Sequence, residues 1–93
     1  MIKSFADRRT GRLLQGAWVP EIHPELQRRA RARLRELDAA TDLEDLARRP
    51  GNRLEKMSAE RRGQWSIRVS SQWRICFTWS DGHAFDVWFG DYH

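Results

Sequence analysis

Three residues spread over the second half of the chain, Glu55, Arg74 and His93, carry side chains that together could break a phosphodiester without a metal ion. Cutting RNA through its own 2′-hydroxyl needs a base to take the hydroxyl proton and a cation to steady the phosphate as it becomes five-coordinate. It also needs an acid to protonate the departing 5′-oxygen. A glutamate accepts a proton, though weakly unless its surroundings raise its pKa. An arginine stays charged at any relevant pH. An imidazole titrates near neutrality and can donate. His93 follows Asp91 and Tyr92, a carboxylate that can fix the tail by hydrogen bonding and a phenol that can stack on a base or orient the phosphate. Each residue also has a plainer reading. Glu55 can be a salt-bridge partner for nearby arginines, Arg74 can pair with Asp86 across neighbouring strands, and His93 can be a frayed end. His83, after a turn, reads as solvated, and His23 as part of a helix start. Spacing alone leaves both readings of Glu55, Arg74 and His93 open.

The elements that must hold these groups are legible in outline. From Arg53 onward the hydrophobic period is two. Arg53, Glu55 and Met57 alternate with Leu54 and Lys56, while Trp65, Ile67 and Val69 alternate with Gln64, Ser66 and Arg68. After a turn at Ser70-Ser71-Gln72, Trp73, Ile75, Phe77 and Trp79 alternate with Arg74, Cys76 and Thr78. Asp81-Gly82 is a hairpin signal, beyond which Phe85, Val87 and Phe89 alternate with Ala84, Asp86 and Trp88. These runs predict consecutive antiparallel strands with one apolar face, the other face carrying Arg68 and Arg74. If Leu54 points to the core, Glu55 shares the open face with Arg74. Gly90 interrupts the last run, so alternation does not set the side on which Asp91, Tyr92 and His93 fall.

The first half reads as helical. Ile2 to Phe5 is a candidate edge strand, and Asp7 a helix cap for a short helix stopped by Gly16. His23-Pro24 opens the main helix, Glu25 to Asp38, in which Leu26, Ala30, Leu34 and Leu37 form an apolar stripe. Arg28, Arg29, Arg31 and Arg35 lie mostly off the stripe, either as a solvated face or as a surface for phosphates. Thr41 reads as the cap of another short helix with Glu44 completing a capping box, ended by Pro50-Gly51-Asn52. The prediction is an α+β fold, with N-terminal helices packed on one face of a small twisted antiparallel sheet, and one domain over residues 1–93.

Composition narrows the class. The net charge is +4, and 15 of the 17 basic residues are arginine, which favours planar contact with phosphate. Residues 48–74 hold eight basic and two acidic side chains, whereas residues 75–93 hold three acidic and no basic ones. That concentration favours a polyanionic partner over a merely solvated surface. The single cysteine, Cys76, excludes an intrachain disulfide, and no metal or other cofactor is expected. No leader-like stretch and no run of apolar residues long enough for a bilayer is read, so a cytoplasmic protein without membrane contact is expected.

Taken in order, Arg53-Leu54-Glu55, Gly63-Gln64-Trp65-Ser66-Ile67-Arg68-Val69, Trp73-Arg74-Ile75-Cys76-Phe77, an acidic-glycine hairpin and Asp91-Tyr92-His93 resemble the HigB toxins of the RelE/ParE toxin–antitoxin superfamily. The opening Met1-Ile2-Lys3-Ser4-Phe5 and the helix end Leu37-Asp38-Ala39-Ala40 extend the resemblance over nearly the whole chain. Single pieces are weak signals, but their order, spacing and terminal placement together are specific. The resemblance implies a ribosome-dependent mRNA endonuclease entering the decoding site of the 30S subunit. It also implies a HigA-like helix-turn-helix antitoxin that neutralises the toxin and through which alone the pair binds operator DNA.

Residue by residue, the resemblance makes Arg74 the phosphate-stabilising arginine and Asp91, Tyr92 and His93 the functional tail. Glu55 departs from the histidine of the HigB pattern but matches the glutamate of YoeB-type relatives. Ser58 stands where several relatives have lysine, and Lys56, Arg61 or Arg62 are candidates to supply that charge. Arg28, Arg31, Arg35, Lys56, Arg61, Arg62 and Arg68 are the candidate RNA and ribosome contacts. Two other readings remain: a ParE-like, non-enzymatic gyrase inhibitor, and a degenerate toxin kept as co-repressor.

Overall fold

The computed structural model describes residues 1–91, apart from the side chain of Ala59. Asp7 caps the first helix, α1 (Arg8–Gln15), by accepting from the Thr10 amide at 2.8 Å. Gly16 ends it in the left-handed region at φ 89°, where a side chain would be strained. The main helix, α2 (Pro24–Ala39), starts on His23 and has proline in its first turn, where the missing N–H costs nothing.

The buried face of α2 is Gln27, Ala30, Leu34 and Leu37. This shifts the expected stripe by one position at its start, since Leu26 is only half-buried. Gln27 occupies the vacated place because its amide closes the α1–α2 loop. It accepts from the Val19 amide at 3.0 Å and donates to the Val19 and Ile22 carbonyls at 2.8 and 2.9 Å.

The third helix, α3 (Leu43–Arg48), is capped one residue later than expected. Asp42 accepts from the Asp45 amide at 2.9 Å, and Asp45 returns the box by accepting from the Thr41 amide and hydroxyl, each at 3.1 Å. The motif Thr41-Asp42-x-x-Asp45 offers two overlapping boxes, and the aspartate cap wins. These hydrogen bonds from Thr41 also hold the Asp45 carboxyl below its usual pKa.

The sheet is four-stranded and antiparallel, in the order β1 (Glu55–Lys56), β2 (Trp65–Arg68), β3 (Trp73–Ser80), β4 (His83–Asp91). A short 3-10 turn, Ala59–Arg61, links β1 to β2. The first strand is shorter than the expected run from Arg53 to Met57. Arg53 takes a left-handed conformation at φ 46°, which turns the chain out of extended geometry before Glu55. Asp81 and Gly82, both at positive φ, close the β3–β4 hairpin.

Ile67, Ile75, Phe77, Val87 and Phe89, all fully buried, face α1 and α2 and form the core with Leu13, Leu34 and Leu37. In β4 the expected alternation breaks. Pairing shifts between Cys76 and Thr78, and Asp86 has φ 53°, the signature of a bulge. Ala84, not Phe85, therefore packs into the core ahead of Val87 and Phe89. Phe85 instead pairs with Thr78 on the face away from the helices.

The outer edge of β4 is closed by the N-terminal segment. Ile2 and Phe5 form parallel bridges to Ala84 and Val87. Beyond them α1 takes over: the Phe89 amide donates to Thr10 Oγ1 at 3.0 Å, and Arg9 Nη2 donates to the Phe89 carbonyl at 2.8 Å. An edge strand left open would be a template for association. Here its backbone is satisfied by residues at the other end of the sequence.

Candidate active site on the open face of the sheet

Cα partners across a sheet share a face. Arg74 pairs with Arg68 on one side and Gly90 on the other, while Ser66 pairs with Glu55 and Cys76, and Cys76 with Trp88. All lie on the face turned away from the helices, as expected for Arg68, Arg74 and Glu55. The Arg74 guanidinium is held from two directions. Its Nε donates to Ser66 Oγ at 2.8 Å and its Nη2 to the Arg53 carbonyl at 3.0 Å. The left-handed turn at Arg53 aims that carbonyl at the guanidinium. Glu55 Oε1 lies 3.9 Å from the same Nη2, with side-chain exposures of 17% for Arg74 and 61% for Glu55. The guanidinium is thus recessed among polar groups rather than buried among rings. Its Nη1 makes no hydrogen bond among the described residues.

Arg68 and Arg74 stand directly opposite each other. Like charges so placed repel, and Arg68 forms no ion pair among the described residues. An anion taken up between the two side chains would relieve that repulsion. Cys76 forms part of the floor and is fully buried. Burial pushes its thiol pKa up against the opposing pull of Arg61 and Arg74, so it is an inert filler rather than a nucleophile. Among the described residues no three His, Cys, Asp or Glu side chains gather to hold a metal ion.

The other expected site residues divide. Asp91 pairs with Trp73, whose ring stacks on Phe89 with centroids 5.1 Å apart. The strand continues regularly through Gly90, so the pleat turns Asp91 towards the helix side and not towards Arg74. Tyr92 and His93 lie outside the described residues. Lys56 pairs with Trp65 and sits 5.9 Å from its ring centroid, on the face opposite Arg74, so it does not replace the charge absent at Ser58. Asp86, at the bulge, makes no pair with Arg74. Its amide instead donates to Ser4 Oγ at 2.8 Å.

Arg31 is a structural residue: its Nε and Nη2 donate to the Leu13 and Ala17 carbonyls at 2.8 and 3.0 Å and tie the end of α1 to α2. Arg28 is exposed and paired with Glu25, whose pKa the arginine lowers. Arg35 and Arg62 are exposed. Arg61 reaches over the sheet, its Cζ 4.3 Å from the Trp88 ring centroid.

Spacing missed Ser66, the Arg53 carbonyl, and the pair Trp88 and Gly90. A glycine two residues after a tryptophan in a strand is a signal of close approach. No sequence signal announces the left-handed turn at Arg53.

Comparison with known proteins agrees with this fold. Residues 3–93 match the model of the HigB-like toxins, described as RelE-like toxins of type II toxin–antitoxin systems. The chain is 32% identical over 93 residues to a Proteus vulgaris protein named Endoribonuclease HigB, covering 100% of both. It is 44% identical over 52 residues to Toxin HigB-1 of Vibrio cholerae, covering 56% of this chain and 55% of that protein. Its fold resembles a chain of the YoeB–YefM complex from Staphylococcus aureus, with a TM-score of 0.60 at 15% identity, covering 100% of this chain and 98% of that one.

Proposed function

The chain belongs to the HigB-like toxins, the RelE-like toxins of type II toxin–antitoxin systems, and we propose that it is an endoribonuclease that cuts messenger RNA on the ribosome by metal-free acid–base chemistry. One observation carries this reading. A guanidinium fixed by Ser66 and the Arg53 carbonyl lies on the open face, with Arg68 at the position paired to it across the sheet and a carboxylate 3.9 Å away. A scissile phosphate bridging Arg68 and Arg74 takes their charge as its own grows towards the transition state. Glu55, at the edge of that cradle, takes the 2′-hydroxyl proton. His93 gives a proton to the leaving 5′-oxygen, Tyr92 orients the nucleotide, and Asp91 fixes the tail.

As a type II toxin the protein has an antitoxin partner. We assign that role to a small HigA-like helix-turn-helix protein, through which the pair meets operator DNA. Arg28, Arg35 and Arg62 are exposed cations for ribosomal RNA near the decoding site, and binding through them weakens steeply with salt. Arg31 is left out of that surface, because its guanidinium is committed to the α1–α2 junction.

The test is controlled induction of the wild type, Arg74→Ala, Glu55→Gln and a chain lacking His93, with growth and message integrity followed together. Loss of one oxyanion-stabilising donor lowers the rate about 10²–10³-fold, so Arg74→Ala should leave message nearly intact. Equal cleavage by all four proteins would overturn the assignment of roles.

A further inference from the structure

The Arg53 carbonyl that holds the Arg74 guanidinium belongs to a residue in the left-handed region, at φ 46°. Arginine does not favour that conformation, and such a residue persists only where its surroundings over-determine it. Gly51, two residues earlier, is also left-handed, at φ 83°. Between them stands Asn52, which is fully buried. Its Nδ2 donates to the Leu46 carbonyl in the last turn of α3 at 3.1 Å, and its backbone amide to the Arg49 carbonyl at 3.3 Å. Its own carbonyl accepts from the Arg68 amide. Oδ1 is buried and makes no hydrogen bond among the described residues, so Nδ2 orients the side chain. Asn52 is thus tied to α3 on one side and to β2 on the other, and the next carbonyl along the chain is the one that meets Arg74.

We propose that Asn52 is a positioning residue for RNA cleavage: by fastening the turn at residues 51–53 to α3, it sets the left-handed conformation of Arg53 and so the carbonyl that orients the Arg74 guanidinium. This role rests on the ribonuclease reading and adds a residue that keeps its site in shape. Asn52 acts through a single peptide unit and does not itself meet the phosphate. Without the bond to Leu46, Arg53 relaxes towards negative φ and its carbonyl turns away from Nη2. Ser66 still holds Nε, so the guanidinium stays on the open face but swings about that contact. Misplacing a group that serves the reacting centre by about 1 Å can cost about 10²-fold in rate.

The experiment compares wild type, Asn52→Leu, Arg53→Gly, Arg74→Ala and the double variants Asn52→Leu/Arg53→Gly and Asn52→Leu/Arg74→Ala. Message cleavage is followed over a range of ribosome concentrations, to separate kcat from KM, well below the thermal transition of every variant. Asn52→Leu should lower kcat about ten- to a hundred-fold with KM unchanged. Glycine enters the left-handed region without steric cost, so the same substitution should cost several-fold less in the Arg53→Gly chain. In the Arg74→Ala chain it should cost nothing further, because effects exerted through one group do not add. A folded Asn52→Leu protein with wild-type kcat overturns the proposal. So does a loss confined to KM, or an undiminished loss in either the Arg53→Gly or the Arg74→Ala chain. If Asn52→Leu fails to fold, Asn52→Ser, whose side chain is too short to keep the Leu46 bond, is judged by the same outcomes. Wild type that cuts no message refutes the ribonuclease reading itself. Wild type that cuts while the Asn52 variants match it refutes only the positioning role.

Discussion

Replacing Thr10 by valine tests how the two ends of the chain are joined. Thr10 is fully buried, and its hydroxyl is the acceptor for the Phe89 amide at 3.0 Å. Phe89 is also fully buried, so no water can replace the lost partner. Valine keeps the shape of threonine and differs little from it in helix propensity. The cost is therefore that of one buried, unsatisfied N–H, about 1–3 kcal/mol. At the middle of that range, with about 4–8 °C per kcal/mol for a domain of this size, the melting temperature should fall by roughly 8–16 °C. Thr10→Ser is the control. It keeps the acceptor and gives up one buried methyl, about 0.8 kcal/mol, so it should melt between the other two.

Hydrogen exchange adds a local reading. The Phe89 amide should lose protection in the valine variant more than the Ile75 amide does. A valine variant that melts with or above the serine variant, with Phe89 still protected, would refute the argument. Phe89 lies two residues before Asp91, so the same variant should also lower message cleavage if the tail does the chemistry proposed for it.

Gly90→Ala should cost about 1–3 kcal/mol by overpacking against the Trp88 ring and change tryptophan fluorescence as Trp88 is forced off the strand. An unchanged transition and spectrum would show that the indole does not rest on residue 90. Asp45→Asn should reduce stability near neutral pH. The folded-state pKa of Asp45 is depressed by its hydrogen bonds from Thr41, so its contribution is present above the usual aspartate range and is lost as pH falls through the folded value. The gap in urea midpoint between wild type and variant should close in strong acid, and a pH-independent gap would sink this account.

Much of the fold was legible because period and punctuation agree. The stripe of Ala30, Leu34 and Leu37, the caps at Asp7 and Gly16, and the Asp81-Gly82 turn each have a local cause that tertiary context did not override. Arg68 and Arg74 were placed on one face by alternation, and Glu55 with them on the condition that Leu54 points to the core; the regular register of β1 to β3 puts all three on that face. What failed did so for non-local reasons. Lys56 was read as a spare cation for the site, but one step of the pleat puts it behind the sheet, against Trp65. Arg31 looked like part of an exposed basic face, yet helix ends need partners for their last carbonyls, and the end of α1 lies beside it. Leu26 was read as the start of the stripe, but Gln27 is buried in its place because the loop that its amide closes is folded against it.

The bulge at Asp86 decides the chemistry of the open face. Counting by twos from Ala84, which is buried, would send Asp86, Trp88 and Gly90 into the core and turn Val87 and Phe89 outward. The extra residue at Asp86 reverses that parity. Val87 and Phe89 then pack under the helices, and Trp88 and Gly90 come round to join Cys76 and Arg74. Because a one-residue slip moves every later side chain to the other face, the bulge brings Trp88 and Gly90 beside Cys76 and Arg74, and it turns Asp91 away from them. The Ser4 hydroxyl that accepts from the Asp86 amide, and the Ser4 and Ala6 backbone that brackets Val87, hold the irregular residue in place. The N-terminal segment thus does more than close an edge: it clamps the irregularity that decides which residues of β4 join the open face.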